Sequence, residues 1–580
     1  KVSMSNRQNA SLYTLNFTLN TSPIITGANC ITKKKFTETH HTAPMQTHTP
    51  IQRSQWLLAL ASGLLLVLAF PKLDQGWMAW FALVPLVLAI RHADPRAGFI
   101  LGWVTGSVHY LGLMYWTAYT MNAYGNVPLV QSVLVLLLFV AVLAVYTALF
   151  PLIVCRLCRK PWQLALLAPA VWVLLEWLRT WLFTGFPWEL LGYSQYDHLW
   201  LIQMADLFGV PGISALIVFT NVALALAILG WAEKRWQGHL VSRKLPLRTG
   251  IIAGVLLLAA TGYGILRLHA IDKQAAAGDR ARIAVVQGNI DQAIKWDATF
   301  QVMTAVKYRT LSLQAAEQGA DLIVWPETAT PFYMFHDKLL TDMVLQGVTD
   351  SQKDFIIGSP AARTDGDAFI NYNRAYLLSS DGKIAGQYDK VHLVPFGEYV
   401  PFKRWLPFVD KLVAQVGDFK AGRRGDTLVW KERPLGMLIC YEIIFPDLAR
   451  ASVRNGAQLL INITNDAWFG RTSAAYQHFS MAVLRSVENR RFLVRAANTG
   501  ISGFIDPGGR VLATSELYED DTLTAGISMM TTRTLYSRWG DWPLVGACFL
   551  LTALIAGAQW RLRSEDGPRQ ANKRRWFKGR

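Results

Sequence analysis

The sequence predicts a multi-span α-helical membrane domain of about eight transmembrane helices, joined to a layered α/β sandwich that is inserted before the last of them. Three observations predict this. Long apolar runs fill residues 56–267 and 543–562, and runs of about 18 to 25 such residues match a hydrocarbon core of roughly 30 Å crossed by helix. From Arg280 the pattern changes to short β-rich runs separated by helical stretches, the alternation of a sheet-and-helix domain. Lys and Arg gather in alternate loops of the apolar region, as they do when one set of loops stays in the cytoplasm.

Residues 1–50 are polar, rich in Thr and Asn and without an apolar h-region. They predict neither a signal peptide nor a packed fold, and are expected to be a disordered extension. Met45 stands just before the first apolar run, which suggests it as the natural start and the upstream residues as non-native.

The expected spans lie at about 56–70, 76–90, 98–116, 128–154, 162–183, 211–231, 249–267 and 543–562. They define a membrane domain over 51–270 and a closing helix. Arg53 precedes the first span, Arg91 and Arg96 follow the second, and Arg156, Arg159 and Lys160 follow the fourth. Lys234, Arg235, Arg243, Lys244 and Arg248 follow the sixth, whereas the loops 117–127 and 184–210 contain no Lys or Arg. With the N-terminus inside, seven crossings carry residues 280–535 to the outer face, and the last returns a basic tail, 563–580, to the cytoplasm. The formal net charge of +17 is then largely topogenic and asks for no nucleic-acid partner. The tail suits either anionic lipid or plain solvation.

Five cysteines are too few for a disulfide scaffold. Cys155 and Cys158 form a C-x-x-C pair with no second pair or neighbouring His, so no metal site is expected. Cys440 is alone in the outer domain, where a lone thiol cannot be a structural disulfide and a reactive role becomes more attractive.

Within that domain, strand-like runs occur at R-I-A-V-V-Q, L-I-V-W, F-I-I-G-S, A-Y-L-L-S, L-G-M-L-I, L-L-I-N-I-T, F-L-V-R-A-A, G-F-I and V-L-A-T. Asp381-Gly382 and Pro507-Gly508-Gly509 read as turns. Three polar residues end such runs where a functional loop would begin: Glu327, Lys390 and Cys440. Taken singly, each has an ordinary explanation: a Glu after Pro caps helices, a Lys beside Asp389 forms surface ion pairs, and a buried Cys packs.

Together the strings W-P-E-T at 325–328, Y-D-K-V-H-L-V-P-F-G-E at 388–398 and C-Y-E at 440–442 resemble the nitrilase, or carbon–nitrogen hydrolase, superfamily. The strings I-T-N-D-A-W-F-G at 463–470 and P-F-G-E-Y-V-P at 395–401, with the spans on either side, resemble its membrane-bound branch, the apolipoprotein N-acyltransferases. The resemblance implies an α-β-β-α sandwich over 280–535 with a Glu327–Lys390–Cys440 triad. It implies a multi-pass protein of the bacterial inner membrane, with the triad facing the periplasm. The implied reaction is ping-pong. An acyl chain passes from a phospholipid, the sn-1 chain of phosphatidylethanolamine, through a Cys440 thioester to the α-amine of an S-diacylglyceryl-cysteine on an apolipoprotein. No metal or organic cofactor is required, and a monomer is expected.

In that chemistry Glu327 takes the thiol proton. Lys390 lowers the thiol pKa and helps hold the oxyanion together with the backbone N–H of Tyr441. Glu398 is expected to orient Lys390 or the amine and Glu442 to stand beside the nucleophile, with structural salt bridging an equal reading for both. The aromatic run from Phe396 to Val409, including Phe402 and Trp405, suits a lid at the membrane interface, with Trp468 beside it. The loop 184–200 offers a second aromatic surface, with Glu189 as a headgroup contact. The competing assignments are a Cys440 dyad with His392 or His478, a membrane-tethered amidase on a small carbon–nitrogen substrate, and a transporter using Glu176, Arg179 and Asp206.

Overall fold

The computed structural model describes residues 50–365, 368–399 and 419–578. The expected N-terminal extension with Met45, and the Phe402 and Trp405 part of the expected lid, lie outside the described residues.

Among the described residues six helices are long and apolar enough to cross a membrane: Pro95–Met114, Leu129–Leu157, Pro161–Trp181, Ala205–Trp231, Lys244–Ala277 and Trp542–Arg561. The first two of the expected spans are shorter apolar helices, Arg53–Leu68 and Gly76–Ala89. At 1.5 Å per residue, the 16 residues of the first reach about 24 Å, short of a full crossing. The outward faces are apolar. Leu129, Val130, Leu134 and Leu138 on one helix, and Val255, Leu258 and Leu266 on another, are exposed, a surface that only a non-aqueous solvent satisfies.

Helices Pro95–Met114 and Leu129–Leu157 approach closely because Gly98, Gly102 and Gly106 repeat every fourth residue on one face. A Cβ at Gly102 would lie 2.4 Å from Pro151 Cγ and 2.9 Å from Ala148 Cα. Small residues at this spacing let helix backbones pack tightly where no hydrophobic force drives association.

The described residues of the α/β domain contain twelve strands: β1 Arg280–Gln287, β2 Leu322–Val324, β3 Asp354–Asp365, β4 Ala368–Leu378, β5 Ile384–Asp389, β6 Thr427–Trp430, β7 Arg433–Ile439, β8 Leu459–Thr464, β9 Leu493–Ala497, β10 Gly503–Ile505, β11 Val511–Thr514 and β12 Asp521–Ser528. They form two six-stranded sheets, ordered β12-β1-β2-β3-β4-β5 and β11-β10-β9-β8-β7-β6. The central pairs β1–β2, β2–β3, β7–β8 and β8–β9 are parallel and the flanking pairs antiparallel.

The two sheets face one another across Ile283, Val285, Leu322, Val324 and Ile356 on one side and Met437, Ile439, Ile461, Ile463 and Val494 on the other. The alternate residues of the first sheet pack under helices Ala298–Glu317 and Lys338–Ser351. Those of the second, Leu438, Leu460 and Leu493, belong to the same core as the membrane helices. This period-two division yields an α-β-β-α sandwich whose second helix layer is trapped between sheet and membrane domain. Every residue of helix Ala474–Asn489 except Tyr476 is buried. Loop 184–200 closes under the same layer: Trp188 is 1% exposed and its Nε1 donates to Gln477 Oε1 at 2.8 Å.

Candidate active site

Parallel strands end on the same side, and loops leaving those ends converge. Glu327 follows β2, Lys390 follows β5, Cys440 follows β7 and Asn465 follows β8. Chain segments far apart in sequence thus meet at one mouth of the sandwich.

Lys390 Nζ lies 3.2 Å from Glu327 Oε1 and 3.0 Å from Glu398 Oε1, and Lys390 is 1% exposed. Asn373 joins the same two carboxylates, its Nδ2 donating to Glu327 Oε1 at 2.7 Å and to Glu398 Oε1 at 2.8 Å. The other Glu327 oxygen accepts from the backbone N–H of Asn465 at 3.0 Å. Asp389 is paired elsewhere, with Arg374 at 2.6 Å, so Lys390 is free to turn inward. Gly358 makes room for the Glu327 turn: a Cβ there would lie 2.2 Å from Pro326 O and 2.7 Å from Glu327 Cα.

Cys440 opens the turn Cys440–Ile444 with φ of +53°, a left-handed conformation uncommon for a non-glycine residue and often found at functional sites. Glu442 holds that turn. Its carboxylate accepts from Ile439 N at 2.7 Å, Val391 N at 2.6 Å, His392 N at 3.0 Å and Tyr388 Oη at 3.0 Å, tying the Cys440 turn to the Lys390 loop. Glu398 acts likewise within its own loop, accepting from Val394 N at 2.8 Å. The Tyr441 ring packs edge-on to Phe445.

The expected effect of Lys390 on the thiol is present but is outweighed. Burial, followed by the Glu327 charge, raises the Cys440 thiol above its usual range, and Lys390 lowers it only in part. Burial would also raise Glu327. The Lys390 charge, with hydrogen bonds from Asn373, Cys440 and Lys390, outweighs it and holds this carboxyl below its usual value. The resting pair is therefore a neutral thiol beside a carboxylate, the arrangement for proton transfer during attack rather than a preformed thiolate.

Neither histidine is placed as a thiol partner. His478 Nε2 is 3.2 Å from the backbone oxygen of Cys440 and Nδ1 is 3.0 Å from Asp466 Oδ1, so His478 positions the main chain of Cys440. The His392 ring stacks on Phe445 at 3.8 Å. Burial, with Lys390 nearby, depresses it to about 4.

The outlying expectations divide. Trp468 is 39% exposed at the rim, and its backbone oxygen accepts from Thr120 Oγ1 at 2.8 Å. Glu189, expected at a headgroup, is instead 1% exposed and its Oε1 accepts from Ser480 Oγ at 3.0 Å; helix Ala474–Asn489 covers it. Glu176 accepts from Leu191 N at 2.7 Å and Trp172 Nε1 at 2.9 Å, and Asp206 is ion-paired to Arg267 and Arg490. Glu176 also lines a cavity together with His109, Arg179 and Glu189. Sequence reasoning missed Asn373, Asn465 and Lys295. The Asn-containing strings N-R-A-Y and I-T-N-D were visible, but nothing local distinguishes a bridging amide from a turn residue. Among the described residues no group of His, Cys, Asp and Glu is arranged to hold a metal.

A profile of the apolipoprotein N-acyltransferase N-terminal domain matches residues 62–223, and a carbon-nitrogen hydrolase profile matches residues 282–536. The chain is 44% identical over 516 residues to the apolipoprotein N-acyltransferase of Geobacter metallireducens, an alignment covering 89% of this chain and 97% of the relative. To that of Methylococcus capsulatus it is 34% identical over 526 residues, covering 89% and 98%. An amidase from Nesterenkonia sp. of known crystal structure aligns with 44% of this chain and 92% of its own at 21% identity, with a TM-score of 0.34.

Proposed function

The chain belongs to the apolipoprotein N-acyltransferases, and from that premise we propose how it transfers an acyl chain from phospholipid to lipoprotein. Cys440 is the nucleophile, Glu327 the proton acceptor and donor, and Lys390 the cation that keeps Glu327 ionised. The Cys440 sulfur attacks an ester carbonyl of the donor, the sn-1 ester of phosphatidylethanolamine, while its proton passes to Glu327. Collapse breaks the ester C–O bond, Glu327 returns the proton to the leaving oxygen, and a lysophospholipid departs. The α-amine of a diacylglyceryl-cysteine then attacks the thioester, giving the amide and restoring the thiol.

The observation that carries this reading is the Glu327 carboxylate. It is held below its usual pKa beside a protonated thiol, and a carboxylate so placed can accept the proton that makes sulfur nucleophilic. Lys390, Asn373 and Asn465 fix both of its oxygens. Glu398 and Glu442 are positioning residues in this scheme, and the Tyr441 N–H is an oxyanion donor. Seven crossings before residue 280, counting each of the two short N-terminal helices as one, put residues 280–535 on the periplasmic side of the inner membrane, and the helix Trp542–Arg561 is the eighth. This agrees with the Lys and Arg distribution. Phe396 and Trp468, both exposed, are apolar groups that help keep water from the thioester.

The test is intact-protein mass spectrometry of detergent-purified enzyme incubated with phosphatidylethanolamine, beside Cys440→Ala. A hydroxylamine-labile gain of one acyl chain, absent from the variant, is expected. An adduct that persists in Cys440→Ala, or none in folded parent protein with lipid access, would sink the scheme.

A further inference from the structure

The segment 288–297, leading from β1 to helix Ala298–Glu317, closes another side of the site. Ile290 N–H donates to Asn498 Oδ1 at 2.9 Å, and Asn498 Nδ2 donates back to Ile290 O at 2.8 Å. Gln292 Oε1 accepts from Asn465 Nδ2 at 2.8 Å, and the Asn465 N–H is the one that holds Glu327. Three residues beyond Gln292, Lys295 is 1% exposed. Among the described residues its Nζ has no hydrogen-bond partner. A buried, unanswered ammonium is costly, by several kcal/mol, and an unsatisfied group of this kind calls for an explanation.

Charge and hydrogen-bond accounting at the site supply one. Lys390 is committed to two carboxylates, which leaves that cluster with one negative charge in excess. Burial lowers the Lys295 pKa to about 8, although Lys295 is close enough for the charge of Glu327, and that of Cys440 when it ionises, to raise it. It stays mostly protonated at neutral pH, with its donors unused.

From this arrangement we infer that Lys295 is a further catalytic residue: its ammonium donates to the oxyanion that forms when Cys440 adds to an acyl carbonyl. This rests on the reading of Cys440 as nucleophile. As the S–C bond forms, the carbonyl π pair moves onto oxygen, where Lys295 and the Tyr441 N–H receive it. When the C–O bond breaks, the pair returns to the carbonyl and the Glu327 proton goes to the leaving oxygen. The same site serves the second tetrahedral adduct, formed by the amine. Lys390 thereby acts on the base and Lys295 on the oxyanion, dividing between two lysines what the sequence suggested for one.

The test measures thioester formation in the full-length detergent-solubilised enzyme. Two acyl donors are used: phosphatidylethanolamine, and a p-nitrophenyl fatty-acid ester that lacks phosphate. Lys295→Met should slow acylation about 10²–10³-fold, the loss typical of one oxyanion donor, for both donors and with KM little changed. Lys295→Arg should recover part of the rate. Because Met keeps the length and removes an unpaired charge, the thermal midpoint should stay level or rise. Acylation within threefold of the parent would overturn the assignment, as would a rate loss that tracks a fall in thermal midpoint. Slowing confined to phosphatidylethanolamine would overturn it in favour of a phosphodiester contact. A parent enzyme that forms no Cys440 adduct would instead fail at the nucleophile, and this inference would fall with it.

Discussion

Replacing Lys390 with Met tests the charge balance on which the site depends. In the parent, one ammonium, 1% exposed, faces Glu327 and Glu398 at 3.2 and 3.0 Å. Removing the cation leaves two buried carboxylates joined only through Asn373. Breaking a buried pair by deleting one partner typically costs about 3–5 kcal/mol, and that loss is expected at pH 8. The pH dependence separates this cause from simple loss of packing. In the parent, burial raises Glu327, but Lys390 and the hydrogen bonds outweigh it and hold the carboxyl below its ordinary value of 4.5. A depressed carboxyl contributes stability that is present above the unfolded pKa and lost as pH falls through the folded one. Without the cation, desolvation is opposed only by hydrogen bonds such as those from Asn373 and Asn465, and the folded pKa is expected above 4.5, so the variant loses stability as pH rises from there. The gap between variant and parent should therefore be widest at pH 8 and should narrow towards pH 4.5. Adding Glu327→Gln to Lys390→Met should restore most of the stability and none of the activity. Thermal unfolding in micelles, followed by intrinsic fluorescence from pH 4.5 to 8, gives the comparison. An equal loss at both ends, or a double variant no more stable than Lys390→Met, would refute the reasoning.

Two further predictions concern the thiol and the helix bundle. With its pKa raised above the ordinary value of 9.0, Cys440 is less than about 1% thiolate at pH 7, so its alkylation by iodoacetamide should climb about tenfold per pH unit up to pH 9. A plateau near neutrality, measured against Cys440→Ala, would reveal a preformed thiolate and contradict the neutral-thiol site. Gly102→Val forces a side chain into Pro151 and Ala148 and should cost about 1–3 kcal/mol, whereas Gly250→Val, with nothing within 4 Å of its Cβ, should change the thermal midpoint little. Equal effects at the two glycines would refute the close-packed seam.

What the sequence could disclose was set by the range over which its signals act. Hydropathy is a local sum, so the six long spans were legible from their runs; Arg53–Leu68 fell short because its boundary with the next helix turns at residues that remain apolar, Ala69 and Phe70. Strand-end positions marked Glu327, Lys390 and Cys440, but their meeting depends on the order β12-β1-β2-β3-β4-β5 facing β11-β10-β9-β8-β7-β6, which no local pattern encodes. Glu189 read as a loop carboxylate because only the packing of helix Ala474–Asn489 buries it. The expected lowering of the thiol pKa by Lys390 is present but outweighed: burial and the Glu327 charge prevail, and the two carboxylates around Lys390 that share its charge are brought there only by the fold.

The same dependence on distant contacts changes the meaning of Asp206. As a charged residue beside a span it resembled a pathway group; in the fold it joins three elements. Its Oδ2 accepts from Arg267 Nε at 2.7 Å and from Arg490 at 2.8 Å, and its Oδ1 from Tyr263 Oη at 2.7 Å. Arg490 ends helix Ala474–Asn489 in a left-handed conformation and also donates to Gln203 and Pro507. One carboxylate thus anchors helices Ala205–Trp231 and Lys244–Ala277 to the layer that carries His478, and His478 positions the backbone of Cys440. Asp206→Asn leaves two guanidinium groups against a neutral amide, a loss of about 3–5 kcal/mol for a buried pair, concentrated at the joint. Acylation by a micelle-dissolved p-nitrophenyl ester should survive better than acylation by phosphatidylethanolamine in vesicles, because the first needs the triad alone and the second needs the triad held at a fixed height over the bilayer. Equal losses with both donors and an unchanged thermal midpoint would refute the idea that this joint sets the geometry of lipid attack.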